Sequence, residues 1–216
     1  MNKEFVLLQL QLLSSRICHD LINPVGALKF SMDMLKDNDD LENIETLNIV
    51  KSSINTLDSK LKYFRYAFGA NNFSEKEVGF NSAKELVVAL FKEKDVKIDW
   101  IISDEDIYNI FNNNNLKLIL NVFFVIFNAV HKNASIKFLT AKIENGVGIG
   151  ILVKGNSVKL GIDNIQALKL DVNPNDLTPR NIPSYFTALQ AKNINAKLEV
   201  RESMKEEIQF AFVLHG

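Results

Sequence analysis

Leu47, Val50, Ile54, Leu57, Leu61, Phe64 and Phe68 recur at alternating spacings of three and four. A heptad pattern sustained this long is buried by packing helix against helix. The same spacing runs earlier through Leu7, Leu10, Ser14, Ile17, Leu21, Pro24, Leu28, Ser31 and Leu35, with weaker residues at Ser14, Pro24 and Ser31. Between the two stretches lies "KDNDDLEN", residues 36 to 43, a polar turn. The expectation is an antiparallel helical hairpin over residues 3 to 69. Each helix would be roughly 40 to 50 Å long at about 1.5 Å rise per residue. A lone hairpin buries one stripe of each helix and leaves Leu8, Leu12, Val25 and Phe30 wet. Two hairpins packed as a four-helix bundle cover such surface, so a homodimer is expected.

"GANNFSEKE", residues 69 to 77, is a polar linker. It separates a hairpin domain at 1–70 from a second domain at 78–216. There, "NSAKELVVALFKEK" reads as a helix, with Asn81 or Ser82 as N-cap and Glu85 close behind. "VKIDWIIS" alternates as a strand does. "NLKLILNVFFVIFNAVHKN" is a buried helix, led by a loop at "NNNN", residues 112 to 115. "SIKFLTAKIENGVGIGILVKG" holds two β-rich runs around Asn145-Gly146, a hairpin signal. "PRNIPSYFTALQAKN" is a further helix; "AKLEVRES" and "EEIQFAFVLH" are closing strands. The expected fold class is α+β: a helical hairpin forming a dimeric four-helix bundle, then an α/β sandwich with helices on one face of a mainly antiparallel sheet.

Composition narrows the function classes. A hydrophobic share of 47% and a charged share of 24% suit a globular chain with a substantial core. A net charge of -1 gives no basic surplus for nucleic acid or anionic membrane. One cysteine excludes an internal disulfide framework and fits a reducing compartment. "MNKEFVLLQLQLLSS" has no clear basic leader or cleavage site, and "LKLILNVFFVIFNAV" is too short to span a bilayer. A cytoplasmic location is expected.

"SRICHDLINPVGAL", residues 14 to 27, carries the chemistry. With Ile17 and Leu21 facing the second helix, a turn of 100° per residue puts His19 on the solvent side. Pro24 lacks an N–H and crowds the carbonyl of Asp20, so a bend is expected one turn beyond His19. An exposed imidazole with the ordinary pKa of about 6.5 is an uncharged nucleophile at neutral pH. It can accept a phosphoryl group and pass it on. Asp20 would hold the tautomer or shuttle the proton, and Asn23 would orient a water or the phosphoryl group. A single exposed histidine is ordinarily a plain surface residue. The His-Asp-x-x-Asn-Pro cluster on a dimerising helix favours the chemical reading.

This stretch resembles the H-box of the two-component histidine kinases, whose dimerisation helix carries His-Glu/Asp-x-x-Thr/Asn-Pro. It resembles more closely the ChpT-type histidine phosphotransferases of bacteria, with their "CHDL..PVGA" pattern. The resemblance runs the full length: hairpin first, then a domain like the kinase ATP-binding domain. It implies that His19 is the phosphorylated histidine and Asp20 its acidic neighbour. Asn23 and Pro24 match the polar residue and the helix-kinking proline. Arg16, one turn before His19, is our own candidate for contacting the phosphoryl group.

The boxes that bind ATP in the kinases are altered. The N-box reads Asn-x-x-x-Asn-Ala; here Asn128 and Ala129 remain, but the first position is Phe124, which cannot ligate a hard cation. Where an aspartate would read adenine stands Lys154, which accepts no hydrogen bond. "TPRNIPSYFTALQ" replaces the glycine-rich lid that cradles phosphates. ATP binding is therefore not expected, and Asn128 reads as a cap or a sheet contact. Cys18 diverges from His19 by one helical step, which disfavours a metal pair. His131 belongs at the end of the buried helix and His215 at the surface.

The expectation for function is a phosphorelay. The resemblance implies a hybrid histidine kinase whose receiver domain donates, and response regulators that accept. The phosphoryl group would move through His19, with Mg²⁺ supplied by the receiver and no cofactor of this chain's own. The receiver would dock on Ile22, Gly26 and Phe30, just beyond His19. The alternative is a degenerate kinase-like interaction module that inhibits a partner without being phosphorylated.

Overall fold

The computed structural model describes residues 3–37, 44–69, 79–203 and 206–216. The expected turn at 36–43 and the linker at 69–77 lie almost wholly outside them. Helix α1 runs over Lys3–Asp37 and α2 over Ile44–Phe68. They pack side by side as the expected hairpin. Helix α1 continues through Pro24, which is buried.

The expected seam is used only in part: Phe64 is buried and Val50, Leu57 and Phe68 are half-buried. The buried residues of α2 are Thr46, Ser53, Lys60, Tyr63, Phe64 and Ala67. Leu47, Ile54 and Leu61, one helical step from the buried Thr46, Ser53 and Lys60, are about half exposed. On α1, Leu7 and Leu10 are likewise exposed, whereas Asp20, Pro24 and Ser31 are buried. Much of that buried lane faces the second domain: Lys60 pairs with Glu93 at 3.4 Å, Tyr63 donates to the Leu120 carbonyl and Phe64 meets Phe124 edge to face. The large apolar lane of α2 faces outward.

The second domain follows the expected order, with additions. Helix α3 spans Phe80–Phe91. Its N-cap is Gly79 with no side-chain cap, not Asn81 or Ser82, both of which fall inside the first turn. Strand β1 is Lys97–Ile101 and helix α4 is Asn113–Ala129. The asparagine run is not a plain loop. Asn112 is the N-cap of α4, its side chain accepting from the backbone N–H groups of Asn114 and Asn115, and the others form the first turn. Strands β2 (Ser135–Ile143) and β3 (Gly146–Lys154) pair antiparallel, with Ile143 opposite Gly146. Gly146 takes φ of 153°, and a Cβ there would stand 2.1 Å from the Leu214 carbonyl oxygen. A short helix, α5 (Ile162–Leu168), was not anticipated. Helix α6 spans Ile182–Asn193, and strands β4 (Glu199–Ser203) and β5 (Glu207–Leu214) close the chain.

The strands form one sheet in the order β1-β2-β3-β5-β4. Only the β1–β2 pairing is parallel, so the sheet is mainly antiparallel. Along β3, Val147, Ile149, Ile151 and Val153 are buried while the alternating positions are not, the period-two pattern of a one-sided sheet. Helices α3 and α4 cover the buried face. Helix α4 is apolar nearly all round, as an element sandwiched between the sheet and α2 must be.

Helix α1 is fastened to the second domain at two levels. Ile17 and Leu21 pack on the main core. Further toward the N-terminus, Phe5, Leu12 and Leu13 join a smaller cluster with Ala167, Leu177, Ile182 and Tyr185. Phe5 meets Tyr185 edge to face, centroids 6.0 Å apart. Leu12 therefore has a partner within the protomer, contrary to expectation. Val25 and Phe30 remain exposed.

Candidate functional site

Helix α1 presents His19 to solvent, its side chain 69% exposed, on the side opposite Ile17 and Leu21. Asp20, the next residue, turns inward and is buried. Its Oδ1 lies 3.4 Å from His19 Nδ1. Its Oδ2 accepts a hydrogen bond of 2.9 Å from Arg16 Nε, one turn earlier on the same helix. A buried carboxylate needs such a partner, because burying an unpaired charge is costly.

Arg16 does not reach toward the His19 side chain. Its Nη2 donates to Asn128 Oδ1 at the end of α4. Its guanidinium carbon stands 5.8 Å from the centroid of the Phe124 ring. Asn128 is itself oriented, since its Nδ2 donates to the Phe124 carbonyl at 2.8 Å. The two kinase-box positions thus bear on the histidine helix. Arg16, the candidate for contacting a phosphoryl group, joins Asp20 to Asn128. Asn128 bonds to the last turn of its own helix, as a helix-end residue, and also accepts from α1.

Phe124 is fully buried by α2. Its ring lies 5.3 Å from Phe64, 5.6 Å from Phe68 and 6.3 Å from Tyr63. Tyr63 donates its hydroxyl to the Leu120 carbonyl, and burial raises its pKa well above 10.0. The C-terminal end of α4 is pinned by Lys94, whose ammonium donates to the carbonyls of Phe127 and Val130 and stands 4.2 Å over the Phe127 ring. Burial is the main cause that lowers the Lys94 pKa. Glu93 opposes the drop, while Lys60 and Arg16 add to it.

The cleft between α4 and α6 is nearly closed. The cavity lined by Val125, Asn128, Leu160, Asn164, Arg180 and Ser184 holds about 20 Å³. Ser184 donates to Asn164 Oδ1 at 2.7 Å, and Asn164 donates to the Leu160 carbonyl at 2.9 Å. The turn before α6 is stapled by buried Asn181, which accepts from Thr178 N–H and donates to the Asp176 carbonyl. Lys154 stands at the end of β3 and pairs with Glu207 at 2.7 Å.

Beyond His19, Ile22 and Phe30 are 65% and 67% exposed. Gly26 lies between them, exposed, and a Cβ there would meet nothing within 4 Å. Asn23 is exposed on the same helix, as is Cys18. His131 is exposed just past α4, and His215 Nδ1 lies 2.8 Å from the Asn145 carbonyl oxygen. Among the described residues no group of three or more His, Cys, Asp or Glu could hold a metal ion, and no helix is long and apolar enough to cross a membrane.

Residues 80–206 match the family model of the histidine phosphotransferase C-terminal domain. The chain belongs to the histidine phosphotransferase family. It is 24% identical over 200 residues to the protein phosphotransferase ChpT of Brucella abortus (strain 2308), covering 93% of this chain and 92% of that protein. Among solved structures, a bacterial phosphotransferase aligns with a TM-score of 0.78 at 21% identity, covering 94% of this chain and 95% of the other. The Acinetobacter baumannii histidine kinase AdeS aligns with a TM-score of 0.50 at 10% identity, over 91% and 97% of the two chains. The fold is thus that of the kinase-like phosphotransferases, as the H-box resemblance implied. Membership of a histidine phosphotransferase family carries a role in phosphorelay signalling.

Proposed function

We propose that His19 is the phosphoryl-carrying residue, taking the group from an aspartyl phosphate on a receiver domain and passing it to a response regulator aspartate. The observation that carries this reading is the pairing of an exposed imidazole with a buried carboxylate anchored behind it. With its proton on Nδ1, next to Asp20 Oδ1, the ring keeps its Nε2 lone pair free and pointing outward. Nε2 attacks phosphorus, the P–O bond to the donor aspartate breaks, and that carboxylate leaves with the electron pair. The positive charge that develops on the ring falls beside the Asp20 carboxylate, which stabilises it. The 3.4 Å separation is longer than a standing hydrogen bond, and contacts of this kind often tighten only in the reactive complex.

The receiver docks on Ile22, Gly26 and Phe30, supplying the Mg²⁺ and the acidic pocket. ATP has no place in the cycle. Phe124 is committed to an aromatic cluster, Lys154 to an ion pair, and a cavity of about 20 Å³ has room for one water. Ligand pockets ordinarily run to about 300 Å³ or more. The protein acts as a homodimer whose second copy covers the outward lane of Leu47, Ile54 and Leu61 on α2. The inhibitory alternative is not favoured.

The test is transfer of label from a purified phosphorylated receiver, beside incubation with labelled Mg-ATP alone. Acid-labile phosphate on the wild type from the receiver only, and none on His19→Ala, is expected. Label on His19→Ala, or from ATP alone, overturns the reading. ATP binding with a dissociation constant below roughly 1 mM would do the same for the nucleotide part.

A further inference from the structure

We infer that the α/β domain supplies two positioning residues, Asn128 and Phe124, that set the tautomer of the acceptor histidine from a distance. The inference rests on the proposed role of His19 and assigns a task to a domain that the proposed chemistry leaves idle.

The chain of contacts is continuous. Lys94 fixes the last carbonyls of α4, and Asn128 is oriented by the Phe124 carbonyl in the same turn. Its Oδ1 takes one arm of Arg16, and the Phe124 ring lies under the guanidinium. With that arm and that face held, Arg16 Nε meets Asp20 Oδ2 at 2.9 Å. The other oxygen of the carboxylate, Oδ1, is thereby turned toward His19 Nδ1. The position of Asn128 in its own helix supports a task. Phe123, Phe124, Val125, Ile126 and Phe127 are buried before it and Ala129 after it, while Asn128 alone in that stretch is exposed.

Each link has a physical reason. A guanidinium carries five donors in a fixed planar fork, so tying down one nitrogen aims the others. An arginine on α1 held only by Asp20 would keep several rotamers, and the carboxylate would swing with it. Even at 3.4 Å, beyond full hydrogen-bond length, the charge of a carboxylate fixed beside Nδ1 favours the Nδ1–H tautomer and leaves Nε2 bare. A loose one lets the ring take either tautomer, and the Nε2–H form has no lone pair at Nε2 with which to attack phosphorus. Neither Asn128 nor Phe124 touches the reacting atoms; both act through Arg16 and Asp20.

The test reads the tautomer directly, on the full-length protein with no phosphoryl group present. Histidine side-chain ¹⁵N shifts above the titration range should assign His19 in the wild type to the Nδ1–H form. In Asn128→Ala the shifts should move toward a mixed population, and phosphotransfer from the receiver should slow about tenfold, as when the supporting partner of a functional histidine is removed. Asn128→Asp loses the donor to the Phe124 carbonyl but keeps a charged acceptor for Arg16, and should restore most of both readouts relative to Asn128→Ala. Arg16→Met, which keeps a stem over Phe124 but no donors, should reproduce Asn128→Ala and serves if the first variant folds poorly. A mixed tautomer in the wild type overturns the inference. So does an unchanged tautomer in both Asn128→Ala and Arg16→Met, whatever their rates. Label on His19→Ala would overturn the proposed function instead, and the tautomer measurement does not depend on it.

Discussion

Arg16 and Asn128 lie 112 residues apart in the chain and share a hydrogen bond between α1 and the end of α4. Arg16 also neutralises Asp20, a carboxylate only 7% exposed. Removing its donors therefore costs stability. Arg16→Met should lower the unfolding free energy by about 1.5 to 3 kcal/mol, the range for a hydrogen bond to a charged group. Adding Asp20→Asn should recover part of the loss, because the buried charge is gone. Urea melts of the two single variants and the double variant give the coupling; strict additivity contradicts the pair.

Gly26→Leu should block acceptance of phosphoryl without weakening the fold. The new side chain meets open space in the protomer, and leucine suits a helix better than glycine by up to about 1 kcal/mol. The same bulk lies between Ile22 and Phe30, where a receiver would sit. A melting temperature at or above wild type, with transfer reduced at least tenfold, is the expected pair of results. Transfer at the wild-type rate removes this face from the docking model.

Ile54→Asp should convert a dimer to a folded monomer. Ile54 is about half exposed in the protomer, midway along the outward lane between Leu47 and Leu61. A carboxylate there is harmless in water and costly, by a few kcal/mol, once buried against a second copy. Sedimentation should show half the wild-type mass with unchanged helical circular dichroism. A wild type that is already monomeric at micromolar concentration defeats the idea.

Alkaline stability carries the mark of Tyr63. Burial raises its folded pKa well above 10.0, so above about pH 10 the unfolded chain releases a proton that the folded chain keeps. Stability should fall as pH rises past that point. Lys94 and Lys117, lowered by burial, act in the opposite sense below 10.5, so the comparison must be differential. Tyr63→Phe should cost about 1 kcal/mol at pH 7, from the lost bond to Leu120. The gap to wild type should narrow above pH 10. A gap independent of pH contradicts the assignment.

Much of this was legible in the residues. The spacing from Leu7 to Phe68 marked two helices, and the turn angle from Ile17 to His19 put the histidine outside. Asn145-Gly146 marked the β2–β3 hairpin through its backbone requirement. The lane each helix gives its partner was not legible. Periodicity fixes a stripe, yet Thr46, Ser53 and Lys60 repeat with the same period as Leu47, Ile54 and Leu61, one step over. Helix α5 has seven residues and no side-chain cap, too little pattern to detect. The Arg16–Asn128 contact leaves no local trace, since each residue has an ordinary reading in its own helix. The available signal was a polar side chain near the end of an apolar run.

The docking of Phe5, Leu12 and Leu13 on the Tyr185 cluster has a kinetic consequence. Helix α1 is anchored on the α/β domain both at Ile17 and Leu21 and nearer its start, which ties the position of His19 to the sheet. Under the proposed relay, successive partners would meet the same presented face, and turnover would follow how fast each arrives and leaves, with association in the ordinary range of about 10⁵ to 10⁷ M⁻¹s⁻¹. Competition among regulators for that surface would then be a contest of concentrations and residence times.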